Sequence, residues 1–448
     1  MTVTQSITHR DYDYNTINTP SLAVYHSLHV IMVTTALVRK SFAPHSSCLE
    51  VQVDESSDIA QVKATLTGRA STSLQEVKLD LSRFFQNNHR NKKLRKVFKA
   101  LGALPHLKTL RFHYSSTDTL ERLPVHLLSI ALSENAGCNQ LEILELNQVN
   151  LTGTVEEFNE FLSILQSHPS LSVFSFSTSG CCSSSSINAL LRALSVTPKL
   201  ERVIIYSEKG QSPWGRLDSD SIAALCRSAS LRELQHLVLY DSTDSMTNFF
   251  MDEHTIALAQ TLSMPAIDSI VQPTQSTTIS YLEEIMISCW PLGKAGVDAL
   301  CRMIESNRTL HKLTMVIYEL GEDINKEETC NISNIATALY LNSTLQSLEL
   351  HGRNEIGKWV EEAFLHVMQS NVTLTNLELF HMNGLFLGPF LNFYLKLNRA
   401  GRGSLLQNQN ISRSKWVDSL ILVRNDVPCL FYFLSMNPLL CNCSSIFE

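Results

Sequence analysis

The sequence predicts an α/β solenoid in which one parallel β-sheet is backed by a layer of helices. Three observations predict it. A six-residue apolar frame recurs ten times, helix-period apolar stripes lie between frames, and the distance from stripe to next frame hardly varies. A chain of 448 residues ordinarily divides into two or three domains, unless it is an array that grows along one axis. Overlooking such an array misassigns the whole fold, so repeats come first.

The frame reads apolar, two free positions, apolar, one free position, apolar. It appears as Leu74/Val77/Leu79, Leu107/Leu110/Phe112, Leu141/Leu144/Leu146, Leu171/Phe174/Phe176 and Leu200/Val203/Ile205. It continues as Leu234/Leu237/Leu239, Leu282/Ile285/Ile287, Leu310/Leu313/Met315, Leu345/Leu348/Leu350 and Leu374/Leu377/Leu379. First positions are 33, 34, 30, 29, 34, 48, 28, 35 and 29 residues apart, too regular for chance. The last two apolar residues of each frame are two apart, which is strand periodicity with one face buried.

Between frames the period becomes helical. Apolar residues fall at i, i+3, i+4 and i+7 in Leu94/Val97/Phe98/Leu101, Phe158/Phe161/Leu162/Leu165 and Ile187/Leu190/Leu191/Leu194. The same holds for Val297/Leu300/Cys301/Ile304, Ile332/Ile335/Ala336/Leu339 and Val360/Ala363/Phe364/Val367. Each makes one apolar stripe able to face a sheet. In five of these six units the last stripe residue lies six positions before the next frame, and in the sixth, Val367 to Leu374, seven. The helix-to-strand turn is therefore nearly invariant, and length variation falls mainly in the strand-to-helix loop. Asn307, Asn342 and Asn371, each three positions before a frame, are expected in the left-handed conformation that closes a helix. Pro105, Pro169 and Pro198, each two before a frame, stop a helix and lead into extended chain.

This pattern resembles the ribonuclease-inhibitor-like class of leucine-rich-repeat proteins, whose units are a parallel strand and a full helix. The resemblance implies a horseshoe-shaped solenoid of about ten repeats plus caps, with the sheet on its concave inner face. It covers roughly residues 48–382, three-quarters of the chain, with an insertion loop at 241–281. A regular Asn or Cys just after the strand, usual in that class, is missing. The class serves many unrelated partners, so it names none. Residues 1–47 and 383–448 are expected to cap or flank the array, because exposed terminal units need covering. Cys48/Val51/Val53 reads as a further edge strand behind a helical segment from Ser21 to Arg39, and Val417/Leu420/Leu422 as a last strand. The Ser/Thr/Gln-rich stretch Ser263–Ser280 accounts for the 48-residue step and reads as a loop.

A net charge of −7 gives no general attraction to polyanions, so neither nucleic acid nor an anionic membrane is the expected partner. The first twenty residues carry Asp11 and Asp13 and lack a basic start before a greasy core, so no signal peptide is expected. The apolar run Leu28–Val38 is too short to span a bilayer. Eleven scattered cysteines, without a CxxC pair, support neither a disulfide framework nor a zinc site. Reduced thiols in the cytoplasm, with the nucleus as second choice, are the simplest reading.

The basic run Arg90, Lys92, Lys93, Arg95, Lys96 and Lys99 occupies positions left free by the stripe Leu94/Val97/Phe98/Leu101. A solvated outer helix face accounts for it better than a nucleic-acid patch. Seven Asn-x-Ser/Thr triplets occur, three of them at the turn asparagines; without a secretion signal they read as structural. None of the HExxH, GxSxG, GxGxxG or GxxxxGK[ST] motifs is present. No catalytic residue, metal ligand or cofactor is therefore assigned, and a non-catalytic scaffold is expected. Within the repeat class the alternative is a regulator resembling the Ran GTPase-activating proteins, although their strongly acidic C-terminal tail has no counterpart here.

What remains is the face of the sheet turned away from the helices. Side chains alternate along a strand, so frame positions three, five and seven point there. Position five reads Lys78, Arg111, Glu145, Ser175, Ile204, Val238, Met286, Thr314, Glu349 and Glu378. Position seven includes Tyr206 and Tyr240 in consecutive units. The expected protein-binding surface thus has a basic pair at one end (Lys78, Arg111), a patch of Ile204, Tyr206, Val238, Tyr240 and Met286 in the middle, and acidic Glu349 and Glu378 at the other. Apolar patches with central tyrosines and charged rims are common in binding surfaces. The competing reading is that the 241–281 segment folds over this patch. The sequence names no partner protein and leaves the oligomeric state open.

Overall fold

A computed structural model describes residues 48–52, 66–67, 74–80, 91–113, 122–133, 140–147, 149–178, 184–207, 218–227 and 236–241. It further describes residues 252–263, 282–289, 293–317, 333–352, 358–381, 384–385, 388–407 and 411–441. The expected N-terminal cap at 1–47 and residues 264–280 of the Ser/Thr/Gln-rich stretch lie outside them.

Each frame with its flanking residues becomes a strand. The strands are β1 (Cys48–Gln52), β2 (Glu76–Asp80), β3 (Thr109–His113), β4 (Arg122–Pro124), β5 (Ile143–Asn147), β6 (Asn150–Thr152) and β7 (Val173–Thr178). They continue as β8 (Arg202–Ser207), β9 (His236–Asp241), β10 (Glu284–Cys289), β11 (Lys312–Ile317), β12 (Ser347–Gly352), β13 (Asn376–His381) and β14 (Gly384–Leu385). Among the described residues twelve of them form one sheet, in the order β1-β2-β3-β5-β7-β8-β9-β10-β11-β12-β13-β14. Every neighbouring pair in it is parallel except β13–β14, which is antiparallel and ends the run. The short strands β4 and β6 pair separately.

Parallel neighbours need a crossover, and helices supply it. They are α1 (Asn91–Gly102), α2 (Val125–Ser133), α3 (Val155–Ser167), α4 (Ser184–Leu194), α5 (Ser219–Arg227), α6 (Asp252–Leu262), α7 (Lys294–Ser306) and α8 (Lys358–Ser370). Residues 333–338 add one more helical segment. Among the described residues the expected stripes are the buried faces of these helices, and they share one core with frame positions one, four and six; Ile332, Leu234 and the side chain of Leu239 lie outside them. In α1 Leu94, Val97, Phe98 and Leu101 are fully buried while Arg95, Lys96 and Lys99 are exposed, so these three charges line a solvated helix face. The arrangement is compatible with a repeat solenoid. No helix among the described residues is long and apolar enough to cross a membrane.

The turn asparagines differ from the expectation. Asn307 has φ −68° and ψ 136°, which is extended chain. Among the described residues Lys199 is the non-glycine with positive φ. All three asparagines are buried, and their side chains bridge consecutive units. Asn307 Nδ2 donates to the Leu262 carbonyl (2.9 Å), Asn342 Nδ2 to that of Ile304 (2.6 Å) and Asn371 Nδ2 to that of Leu339 (2.8 Å). Each amide oxygen accepts backbone N–H groups from the start of its own frame, as Asn342 Oδ1 does from Thr344 (2.9 Å) and Leu345 (2.7 Å). The amide thus bonds a carbonyl in the last turn of the preceding unit's helix, where intrahelical partners run out, and the turn of the next strand together. Thr197, at the same position in another unit, donates its hydroxyl to the Leu165 carbonyl at 3.1 Å.

Helix starts are coupled in a similar way. Asn188 in α4 accepts the Asp218 N–H just before α5 (2.9 Å), and Asp252 in α6 accepts the Gly293 N–H just before α7 (2.7 Å). The segment expected as an insertion loop therefore contains its unit's own helix: α6 packs between α5 and α7, in the helix layer.

At the ends, β1 is the expected edge strand, but Leu49 pairs with Val77 and Val51 with Leu79. In the backbone register its frame is therefore two residues earlier than Cys48/Val51/Val53, of which Val53 lies outside the described residues. Beyond β14 follow α9 (Pro389–Arg399), α10 (Arg402–Gln407), α11 (Arg413–Leu422), α12 (Val427–Met436) and a 3₁₀ turn (Pro438–Cys441). The expected strand Val417/Leu420/Leu422 is thus helical. The frame spacing is present there, but Trp416, Ser419 and Val423 form a helical stripe that is buried in a second core with Cys429 and Phe433. The cap is tied to the array by buried groups. Asn398 Nδ2 donates to the Leu374 carbonyl (2.7 Å), and Arg402 Nη2 donates to those of Met368 (2.7 Å) and Asn371 (2.6 Å).

The bridging role of Asn342 yields a prediction opposite to that of a left-handed turn. Asn342→Gly would be harmless in a left-handed position. Here it removes bonds to Ile304, Thr344 and Leu345 and leaves buried backbone groups unpaired, a cost of about 2–4 kcal/mol. Chemical denaturation of the two proteins measures it; a loss below about 0.5 kcal/mol would remove the bridge from the stability of the fold.

Candidate protein-binding face

Frame positions four and six enter the helix layer, so positions three, five and seven lie on the opposite face of the sheet. The parallel register aligns position five across ten strands. Lys78, Arg111, Glu145, Ser175, Ile204, Val238, Met286, Thr314, Glu349 and Glu378 are successive Cα partners. In the adjoining ladder Tyr206 pairs with Tyr240. The register thus brings every residue singled out for this face into two neighbouring rows.

At the β2 end the expected basic pair is not a free basic patch. Arg111 Nη1 lies 3.3 Å from Glu76 Oε1 and its Nε 3.0 Å from Glu145 Oε2, while Lys78 Nζ lies 3.6 Å from Glu76. Two carboxylates thus balance two cations. Burial lifts the Glu145 carboxyl above its ordinary pKa, against the pull of Arg111. Glu76 is at frame position three, whose side chains share this face; reading position three along with position five would have found it.

The middle strands carry Ile204 and Met286 half-buried. For Val238, Tyr206 and Tyr240 the described structure extends to the backbone register only. In that register no charged residue occurs at position five between Glu145 and Glu349.

At the β12 end the expectation of an exposed Glu349 is overturned. The residue is 7% exposed and sits inside a polar cluster. Its carboxylate accepts a hydrogen bond from Thr314 Oγ1 (3.0 Å), pairs with Lys312 Nζ (3.1 Å) and lies 3.9 Å from His351 Nε2. Lys312 also pairs with Glu284 at 3.3 Å. Burial alone would raise the Glu349 carboxyl, but His351, Lys312 and Thr314 together hold it down at about 2. Burial likewise opposes the charge on Lys312, yet Glu349 and Glu284 keep its pKa above the ordinary value. Glu378, half-buried, accepts from Asn376 Nδ2 at 3.1 Å. Lys312 and Glu284, again at position three, are the residues that sequence reasoning passed over.

Among the described residues no group of three His, Cys, Asp or Glu side chains is placed to hold a metal ion. Burial, with help from nearby carboxylates, pushes the Cys301 and Cys429 thiols up to about 12, so neither is a thiolate at neutral pH. A cavity of about 340 Å³ lies in the C-terminal cap among Lys396, Arg399, Leu422 and Asp426, rather than on the sheet face.

The Glu349 cluster makes stability depend on pH. Its folded-state pKa of about 2 lies below the ordinary 4.5, so its contribution is complete above pH 4.5 and fades as pH falls toward 2. Glu349→Gln should flatten that part of the stability curve and cost on the order of 1–3 kcal/mol at neutral pH. Leu348→Ala, in the core beside it, should cost about 2–5 kcal/mol at every pH. Urea midpoints from pH 2 to 7 separate the two effects; an unchanged slope in Glu349→Gln would detach the carboxylate from acid stability.

A scan against protein-family models found none that matches this chain, and a search of curated proteins found no match either.

Proposed function

We propose that the chain is a leucine-rich-repeat scaffold of the ribonuclease-inhibitor-like class, and that it binds a partner protein on the sheet face opposite its helices. The observation that carries this reading is the unbroken position-five ladder. Lys78, Arg111 and Glu145 at one end and Glu349 at the other are ion-paired, and its middle holds Ile204, Val238 and Met286 in register. Tyr206 and Tyr240 adjoin that middle as backbone neighbours. A neutral centre framed by polar groups suits a protein partner, because desolvating apolar and aromatic side chains supplies most interface energy while paired charges at the margin add little. The placement of α6 in the helix layer also supports it, since that helix is then not a cover for the patch. The scaffold is non-catalytic in this reading and works without a cofactor, in the cytoplasm or nucleus.

The test replaces both tyrosines. Tyr206→Ala combined with Tyr240→Ala should abolish capture of the partner that the native protein retains from cell extract, with the melting temperature nearly unchanged; truncating a central aromatic commonly loses about 2 kcal/mol or more of binding. A double variant that captures the same partner removes the face from the proposal. Stimulation of GTP hydrolysis by a small GTPase, in the same preparation, would instead favour the GTPase-activating alternative.

A further inference from the structure

The outer face of α1 carries charge of one sign. Its twelve residues, NKKLRKVFKALG, include five cations and no acid. Leu94, Val97, Phe98 and Leu101 fill the core while Arg95, Lys96 and Lys99 are exposed, so these three charges lie on one side of the helix. Contact with solvent explains why charges are tolerated there, but not why all have the same sign. Local stability disfavours that choice. Arg95 and Lys99 are four apart and Lys96 and Lys99 three apart, spacings at which like charges repel. Lys92 and Lys93 stand in the first turn, at the positive end of the helix dipole, where no acid is present. A sequence that departs from local preference without a gain to the fold marks a functional position. Among the described helices of the array, α1 alone combines several cations with no acid. Its neighbour α2 has no lysine, arginine or carboxylate, and the next helix, α3, has Glu156, Glu157 and Glu160 and no cation. The three pack in that order, α1 on α2 and α2 on α3. A chain of net charge −7 thus gathers cations on a strip one helix wide.

We infer that this strip docks an acidic segment of a partner protein, held in extended conformation. Charge complementarity selects an anionic occupant, and the width of the strip selects a peptide. Residues four apart on a helix rise about 6 Å along its axis. Carboxylates two apart on an extended chain are spaced by about 6.6 Å, so alternate acids can meet Arg95 and Lys99 in turn. A nucleic-acid duplex fits less well. Its major groove alone is about 12 Å wide, more than one helix of about 10 Å, so its phosphates would overhang α2 toward exposed Glu156 and Glu160. Between residues 91 and 133 no large apolar side chain is exposed among the described residues. The strip therefore has neither an aromatic platform for single-stranded bases nor an apolar anchor for a bilayer. This surface is on the helix side, opposite the sheet face, and it stands whether or not that face binds a partner.

Fluorescence anisotropy of a labelled peptide of alternating glutamate and serine, titrated with the intact chain, tests this. The peptide should bind at low salt. Its affinity should fall steeply as ionic strength rises from about 0.01 to 0.15 M, where the screening length shrinks from about 30 to 8 Å. Arg95→Glu combined with Lys96→Glu should weaken binding at least about tenfold. The melting temperature of that double variant should not fall, because Arg95→Glu turns a repulsive spacing to Lys99 into an attractive one. Arg302→Glu, on the exposed side of α7 beside Asp298 and Glu305, should leave the affinity unchanged. A native chain that does not bind the peptide at about 0.01 M ionic strength overturns the inference. So does full affinity in the double variant, or an equal loss in Arg302→Glu. Tighter binding of a DNA duplex or of phosphatidylserine vesicles through Arg95 and Lys96 also overturns it, since the strip would then serve a phosphate surface.

Discussion

The structure depends on how the carbonyl groups at the helix ends are satisfied inside the array. Helix C-termini leave carbonyls without intrahelical partners, and burying them unpaired would cost about 1–3 kcal/mol each. Here the carbonyl of the last stripe residue receives a side chain from the following unit. Asn342 serves Ile304, Asn371 serves Leu339 and Thr197 serves Leu165. Because the same amide oxygen accepts the N–H groups that open the next strand, helix and strand cannot slide past one another. That lock explains why the turn between them has nearly one length while the opposite loops vary.

The lock has consequences on the far face of the sheet. Once every strand starts at the same height, equal frame positions become lateral neighbours, and lateral charges must find partners or disperse. Both ends solve this with cations set between carboxylates, Arg111 between Glu76 and Glu145, and Lys312 between Glu284 and Glu349. Surface pairs of this kind contribute little to stability, but the Glu349 cluster is buried, so removing one member leaves the others unpaired and costs more. Between the clusters the ladder carries no charge, which distinguishes the centre of the face chemically from its ends.

At the C-terminal side the regular device is continued one step further, as Asn398 donates to the Asn371 and Leu374 carbonyls and Arg402 to those of Met368 and Asn371. Beyond Arg402, whose guanidinium also lies 5.0 Å from the Tyr394 ring centroid, a separate small core takes over. The cap is therefore an adapter: its inner side matches the array, and α11 and α12 each leave apolar residues exposed.

By itself the sequence determined the elements and the ladder. A period of two in the frames and of 3.6 in the stripes is a property of residues within one unit, so Leu348 and Val360 could be assigned to the core without a neighbour. Repetition of that unit then aligned Ile204 with Val238 and Met286, because a slip by one residue would turn the apolar set of a strand outward. The tertiary structure decided the partners of the buried polar groups. Asn342 looked like a turn-former locally, since its acceptor on Ile304 is 38 residues away. Glu349 looked like a surface residue until Lys312 and Thr314 of the preceding strand enclosed it, and Arg111 looked like part of a basic patch until Glu76 and Glu145 of its two neighbouring strands were set beside it. The register of β1 and the helical state of α11 were likewise decided by the neighbouring strand and by the cap core. Apolar periodicity is short-ranged and self-consistent, whereas a buried polar group takes its state from whichever partner the next unit places within hydrogen-bond reach.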